Sequence, residues 1–229
     1  MLNGDSQPSP ELENFRKVRR VANHWARPGG GPANRSFYWY LTFPRGRQLR
    51  ELARRCQKEI SFSYYDLTPL DDLHLTVNRV AYQNTVGASD LDAVIAKARE
   101  VCQSVTAFTV SVGRLSGTPG ALGFNVSPYE PLRNLHDRLT AATLQVLPDA
   151  PVKHREFHAH VAVAYGNADV PSAEAVAVVE QLHRLPEADV LVDGVSLVLL
   201  ERDHRSYRWQ TVETVAFAKA HDADSATSC

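Results

Sequence analysis

Two short segments carry side chains that could do acid–base chemistry. In Asp72-Leu73-His74-Leu75-Thr76-Val77-Asn78 apolar and polar residues alternate, the pattern of a half-buried strand whose alternate residues share a face. Leu73, Leu75 and Val77 then point into a core, while His74, Thr76 and Asn78 point away from it. In Phe157-His158-Ala159-His160-Val161-Ala162-Val163-Ala164-Tyr165 the same alternation sets Ala159, Val161 and Val163 on the core face and His158, His160 and Ala162 on the other. A lone strand histidine is most often a hydrogen-bonded structural residue. Two at the same phase of similar strands, 86 residues apart, change the odds. Paired imidazoles facing one cleft can take up one proton and deliver another, and their ordinary pKa near 6.5 populates both forms near neutrality.

Side chains so placed need strands and helices around them. The aromatic run Ser36-Phe37-Tyr38-Trp39-Tyr40-Leu41-Thr42-Phe43 reads as a strand closed by Pro44. One face of it must be core, so either Tyr38 and Tyr40 or Trp39 alone can reach a cleft and stack a base. Residues 47–60 read as a helix with Leu49, Leu52, Ala53 and Cys56 on its apolar side, and 73–82 as the strand bearing His74. A helix starts at Ser89 with Asp90 and Asp92 in its first turn. Strands are expected at 107–114 and 121–127, a helix at 129–146, the second histidine strand at 157–165, a helix after Pro171-Ser172, and strands at 189–200 and 206–217. A further helix is expected over 11–25, followed by a flexible loop around Gly29-Gly30-Gly31. Strands and helices are mixed without regular βαβ alternation, which predicts an α+β fold. The expected domains are an N-terminal extension over 1–35, partly flexible, a main domain over 36–217 and a disordered tail over 218–229.

Composition narrows the function. The chain has 229 residues with 25 Lys+Arg and 26 Asp+Glu, a formal charge of −1, which argues against a dedicated duplex-DNA binder. Residues 1–60 nevertheless carry 12 basic and 5 acidic side chains, and Arg45, Arg47, Arg50, Arg54 and Arg55 read either as an RNA path or as a solvated helix face. No run of about 18 apolar residues and no apolar leader is present, so no membrane association is expected. Cys56, Cys102 and Cys229 suit neither a disulfide framework nor a metal knuckle, and a reduced, cytoplasmic protein is expected. His154, His158 and His160 raise a metal site, but no spaced carboxylate or cysteine supports it; no metal and no cofactor are expected. His136, His183 and His204 read as surface residues. The glycine run precedes a strand rather than opening a helix, and no Gly-x-Ser-x-Gly elbow occurs.

His74-Leu75-Thr76-Val77 resembles the first His-x-Thr/Ser-x signature of the two-histidine phosphoesterase superfamily, and the segment from Phe157 to Ala164 resembles the second. This is the group of 2′-5′ RNA ligase and RNA 2′,3′-cyclic phosphodiesterase proteins. The resemblance covers residues 36–217 and implies a bilobal fold of two similar α+β lobes, each with an antiparallel sheet and helices, with the active-site cleft between them. It implies a hydrolase acting on a cyclic phosphate or 2′-5′-linked nucleotide, with His74 and His160 catalytic, His160 as base and His74 as acid, and Thr76 on a phosphate oxygen. Tyr38, Tyr40, His158 and Tyr165 are the further candidate substrate contacts. An RNA end or small nucleotide is the implied partner, and a monomer is expected. The sequence departs from the pattern at Ala162, where the second motif has Thr or Ser. A hydrogen bond to a charged phosphate is worth about 1.5–3 kcal/mol, so its loss weakens catalysis without abolishing it, unless His158 or Tyr165 supplies a shifted donor. The competing reading is a module of the same fold that binds nucleotides or RNA ends without turnover.

Overall fold

The computed structural model describes residues 9–26, 35–152 and 157–218. His154, the glycine run at 29–31 and the tail from 219 lie outside them. The elements in chain order are α1 (Pro10–Arg16), β1 (Arg20–Val21), β2 (Ser36–Thr42), α2 (Arg47–Glu59), β3 (Tyr65–Leu67), β4 (His74–Tyr82), α3 (Ala88–Cys102), β5 (Phe108–Thr118), β6 (Ala121–Ser127), α4 (Tyr129–Val146), β7 (His160–Gly166), β8 (Val170–Pro171), α5 (Ala173–Leu182), β9 (Ala188–Val192), β10 (Gly194–Asp203) and β11 (Ser206–Ala216). No helix among the described residues is long and apolar enough to cross a membrane.

The fold is α+β with two lobes, each built on an antiparallel sheet. The first sheet runs β11-β10-β2-β4 and carries His74; the second runs β3-β7-β6-β5-β9 and carries His160. Helices α3 and α4 cover the outer side of the first sheet, and α1, α2 and α5 pack on the second. The lobes are not successive stretches of chain: β2 belongs to the first sheet while α2, which follows it, packs on the second. The expected strand over 189–200 is in fact two, parted at Asp193. β9 pairs with β5 in the second sheet and β10 with β2 in the first. The turn pair Asp193-Gly194 marks this crossing, between the half-exposed β9 and the buried first half of β10.

The expected helix over 11–25 stops at Arg16. Ser9 caps its start, its hydroxyl accepting from the Leu12 N–H at 3.3 Å. Beyond it Arg20 and Val21 pair with Pro171 and Val170, and the β-branched Val18 and Val21 favour that extended path. Phe15 is fully buried against Gly117, where an added Cβ would come within 2.6 Å of its ring. Residues 9–26 are thus built into the second lobe, ending in a 3-10 turn at His24–Ala26.

Candidate active site

Both motif strands share one irregularity. Along β2 and β4, Tyr40 pairs with Thr76 and Trp39 with Asn78, so Val77 is an extra residue in β4. Along β6 and β7, Gly123 pairs with Ala162 and Leu122 with Ala164, so Val163 is extra in β7. Each bulge sits three residues after its histidine and reverses the alternation beyond it. Asn78, expected beside His74 and Thr76, is therefore turned to the helical side, where its Nδ2 donates to Thr140 Oγ1 of α4 at 2.7 Å. Arg79 takes the cleft-side place, with its Nε donating to the Tyr38 hydroxyl at 2.7 Å. In β7 the same reversal buries Ala164 and turns Tyr165 to the side of its histidine.

The two imidazoles are held alike. His74 Nδ1 lies 2.8 Å from the carbonyl oxygen of Asp72, and His160 Nδ1 lies 2.8 Å from that of His158. A carbonyl only accepts, so each Nδ1 carries the proton, which makes Nε2 the acceptor nitrogen of each neutral ring. The rings differ in surroundings. Tyr40 stacks on His74 with centroids 4.1 Å apart and planes at 12°, and Trp209 meets it edge-on at 4.8 Å. Burial lowers the His74 pKa to about 4, against a raising contribution from the Asp72 carbonyl, and His160 lies close enough to lower it further. His160 is exposed. The two histidines therefore face one cleft from different sheets, one packed and one open.

Thr76 is half-buried, and its hydroxyl is hydrogen-bonded to that of Tyr40. Tyr38 and Tyr40 form the cleft face of β2 while Trp39 belongs to the main core. Both tyrosines are themselves buried, at 9% and 2% exposure, so they back the cleft rather than offering open rings to a base. His158 precedes β7 instead of lying within it; its side chain is exposed and its carbonyl orients His160. Phe157 anchors that approach, packed on Tyr129 and His136 of α4 with its carbonyl accepting from the Tyr129 hydroxyl at 2.6 Å. His136 and His183 are thus not plain surface residues: the first stacks on Phe157 and the second bonds the Leu115 carbonyl at 2.8 Å. Among the described residues no three His, Cys, Asp or Glu side chains stand together as metal ligands.

Ala162 is buried and faces Gly123, so no hydroxyl rises where the second motif has one. Asn125, which sequence reasoning passed over, pairs directly with His160. Residues paired across an antiparallel ladder share a face, so its amide stands next to the imidazole. Tyr207 and Trp209 were also missed, although their two-residue spacing in an expected strand signals a shared face. With Trp25 they line a recess that reaches His74.

A family model for the 2′-5′ RNA ligase superfamily matches residues 46–204. Among curated proteins none matches. Solved structures show the same fold: TT0787 of Thermus thermophilus is 18% identical with a TM-score of 0.63 over 81% of this chain and 100% of that one. LigT of E. coli complexed with 3′-AMP is 16% identical with a TM-score of 0.62, over 80% of this chain and 98% of that one. A structure described as a phosphoesterase is 15% identical with a TM-score of 0.61, over 81% and 99%.

Proposed function

The chain belongs to the 2′-5′ RNA ligase superfamily of two-histidine phosphoesterases, and from that premise we propose that it hydrolyses an RNA 2′,3′-cyclic phosphate, or a related cyclic or 2′-5′-linked nucleotide, by metal-independent acid–base catalysis. The observation that carries this reading is the matched pair of imidazoles, each with Nδ1–H tied to the carbonyl two residues before it and Nε2 set as the acceptor. LigT of E. coli, similar in fold, has been crystallised with 3′-AMP, ATP, NADP+ and phosphate, which supports a nucleotide-sized ligand here.

One imidazole takes a proton from water as its oxygen bonds to phosphorus, and the other gives a proton to the departing ribose oxygen as the P–O bond breaks. The resemblance assigns the base to His160 and the acid to His74. The surroundings support the reverse. Burial keeps His74 neutral at physiological pH, with its Nε2 lone pair ready to accept, whereas an acid must arrive protonated. That leaves the acid role to His160, whose ring stands exposed. Tyr40 stays protonated because burial raises its pKa well above the ordinary value, so it can donate to Thr76 and free the Thr76 proton for a non-bridging phosphate oxygen. Asn125 pairs with His160, but its Oδ1 accepts from Ser116 at 3.2 Å and its Nδ2 donates to Glu11 at 3.4 Å, so it would have to leave Glu11 to take over from the hydroxyl that Ala162 lacks.

Hydrolysis of 2′,3′-cyclic nucleotides in the presence of a chelator tests the proposal. His74→Ala and His160→Ala are each expected to lower the rate about 10²–10⁴-fold; variants as active as wild type would sink it. Ala162 favours one other reading, a nucleotide-binding module without turnover. Tight mononucleotide binding by a wild type that turns over nothing would establish that module, whereas a rate gain in Ala162→Thr would mark a weakened but working site.

A further inference from the structure

The bulge in β4 turns a cation into the cleft on the side of His74 and Thr76. Arg79 is partly buried, and two phenols fix it: its Nε donates to the Tyr38 hydroxyl at 2.7 Å and its Nη1 to the Tyr82 hydroxyl at 2.8 Å. The guanidinium carbon stands over both rings, 5.2 Å and 5.0 Å from their centres. A guanidinium has five N–H donors and does not give up its charge. Two donors here go to neutral oxygens, and among the described residues no carboxylate meets Arg79. Arg35 and Arg208 of the same lobe each reach one, Glu201 and Asp203 respectively. Taking a fixed charge out of water costs free energy unless a counter-ion answers it. The ring faces offset part of that cost and leave Nη1 and Nη2 with N–H groups that no acceptor of the described chain takes up. An anion from outside the chain would complete the site.

Position along the strand says which anion. Tyr40 faces Thr76 across the ladder and Tyr38 faces Arg79, so Arg79 lies two β2 residues beyond Thr76, roughly 7 Å along the sheet. The two tyrosines back the two groups alike, Tyr40 bonded to the Thr76 hydroxyl and Tyr38 to Arg79. We infer that Arg79 binds a second phosphate of the substrate, the one carried on the 5′ oxygen of the ribose whose 2′,3′-cyclic phosphate lies at the histidines. The inference rests on the phosphoesterase reading for the location of that cyclic phosphate. With the 2′ and 3′ oxygens committed to the reacting phosphorus, the 5′ oxygen is the place left on that ribose for another, and one ribose separates the two. The side chain suits such a group, because parallel N–H donors of a guanidinium match two phosphate oxygens. Arg79 thus selects a 5′-phosphorylated nucleotide or an RNA end over a nucleoside 2′,3′-cyclic phosphate.

Calorimetric titration with 3′-AMP and with adenosine 3′,5′-bisphosphate reads the site without requiring turnover. The 5′-phosphate is expected to tighten binding about tenfold or more, the range for a charge-assisted hydrogen bond, and by less as salt rises. Arg79→Gln is expected to bring the two ligands within about twofold, and Arg79→Lys to keep part of the difference as a point charge without the fork. A residue that merely braced β4 would weaken both ligands alike and leave their ratio standing. Equal affinity for the two ligands in wild type, or a preference that survives Arg79→Gln, would overturn the inference. Hydrolysis reads the same preference during turnover, on adenosine 2′,3′-cyclic phosphate, its 5′-phosphorylated form and the dinucleotide ApA ending in a 2′,3′-cyclic phosphate. A gain confined to the 5′-phosphorylated mononucleotide assigns the site to free nucleotides, and a gain shared by the dinucleotide assigns it to RNA ends. Turnover with no gain from either would refute the second-phosphate site and leave the phosphoesterase reading intact. A 5′-phosphate preference carried by Arg79 in a protein that opens no cyclic phosphate would uphold the site and refute that reading instead.

Discussion

Tyr40 lies flat on the His74 ring, Trp209 meets it edge-on, and the Asp72 carbonyl accepts its Nδ1 proton. Packing of that kind removes water and disfavours the charged form, which is why the group titrates near pH 4. In the unfolded chain the same histidine titrates near its ordinary 6.5. Between those values the unfolded state binds more protons, so stability falls as pH drops from about 6.5 towards 4. The ceiling on that loss is roughly 3 kcal/mol, reduced because the ring keeps some contact with solvent. His74→Phe should lose less stability than wild type between pH 7 and 4.5, read as the shift in urea midpoint. The assignment of roles has its own test. A p-nitrophenyl phosphodiester has a leaving group that needs no proton, so His160→Ala should retain far more activity on it than on a ribose leaving group, while His74→Ala should fail on both. At this scale His74, Thr76 and His160 were legible because strand alternation exposes them. Asn125 and Trp25 were not: one gains its place from register and the other from a segment with no motif.

Strand irregularities decide which neighbours the histidines have. Val77 and Val163 look like ordinary members of an apolar alternation, and nothing in the residue types marks them as bulges. Their effect, the exchange of Asn78 for Arg79 and the turning of Tyr165 into the cleft, depends on which residues β2 and β6 offer across the ladder. The break at Asp193 is signalled by the turn pair Asp193-Gly194 and fixed in the fold, where Arg45 pairs with its carboxylate and the Phe217 N–H donates to its carbonyl at 2.8 Å. Most helix positions, by contrast, followed from apolar spacing, and α4 spans the expected 129–146. The N-terminal segment docks through a close backbone approach at Gly166, where a Cβ would meet the Ala22 carbonyl oxygen at 2.7 Å. Gly166→Ala should therefore loosen residues 18–26, cost about 1–3 kcal/mol and speed tryptic cleavage at Arg19 and Arg20. Unchanged melting and unchanged proteolysis would show that the segment tolerates the added methyl.

At the level of the molecule, the α+β class followed from the mixed order of elements, and the two lobes from the resemblance. Their interleaving did not, because no local pattern states which sheet a helix will cover. The main hydrophobic core is shared: Leu41 and Leu75 of the first sheet belong to the same buried cluster as Phe124 and Val161 of the second. Domains that share a core unfold together, so calorimetry should record one transition whose van't Hoff and calorimetric enthalpies agree. Two resolved transitions would mean that the lobes hold their own stability.

The repeated passage of the chain between sheets has a mechanical side. Two-domain enzymes commonly clamp their substrate by swinging about a few linker residues, yet here the chain crosses from one sheet to the other several times, at β2 to α2 and again at β9 to β10. The jaws are stitched rather than jointed. A body built so favours a gap of set width, and a ligand of the wrong girth would be refused at the door instead of being squeezed into line.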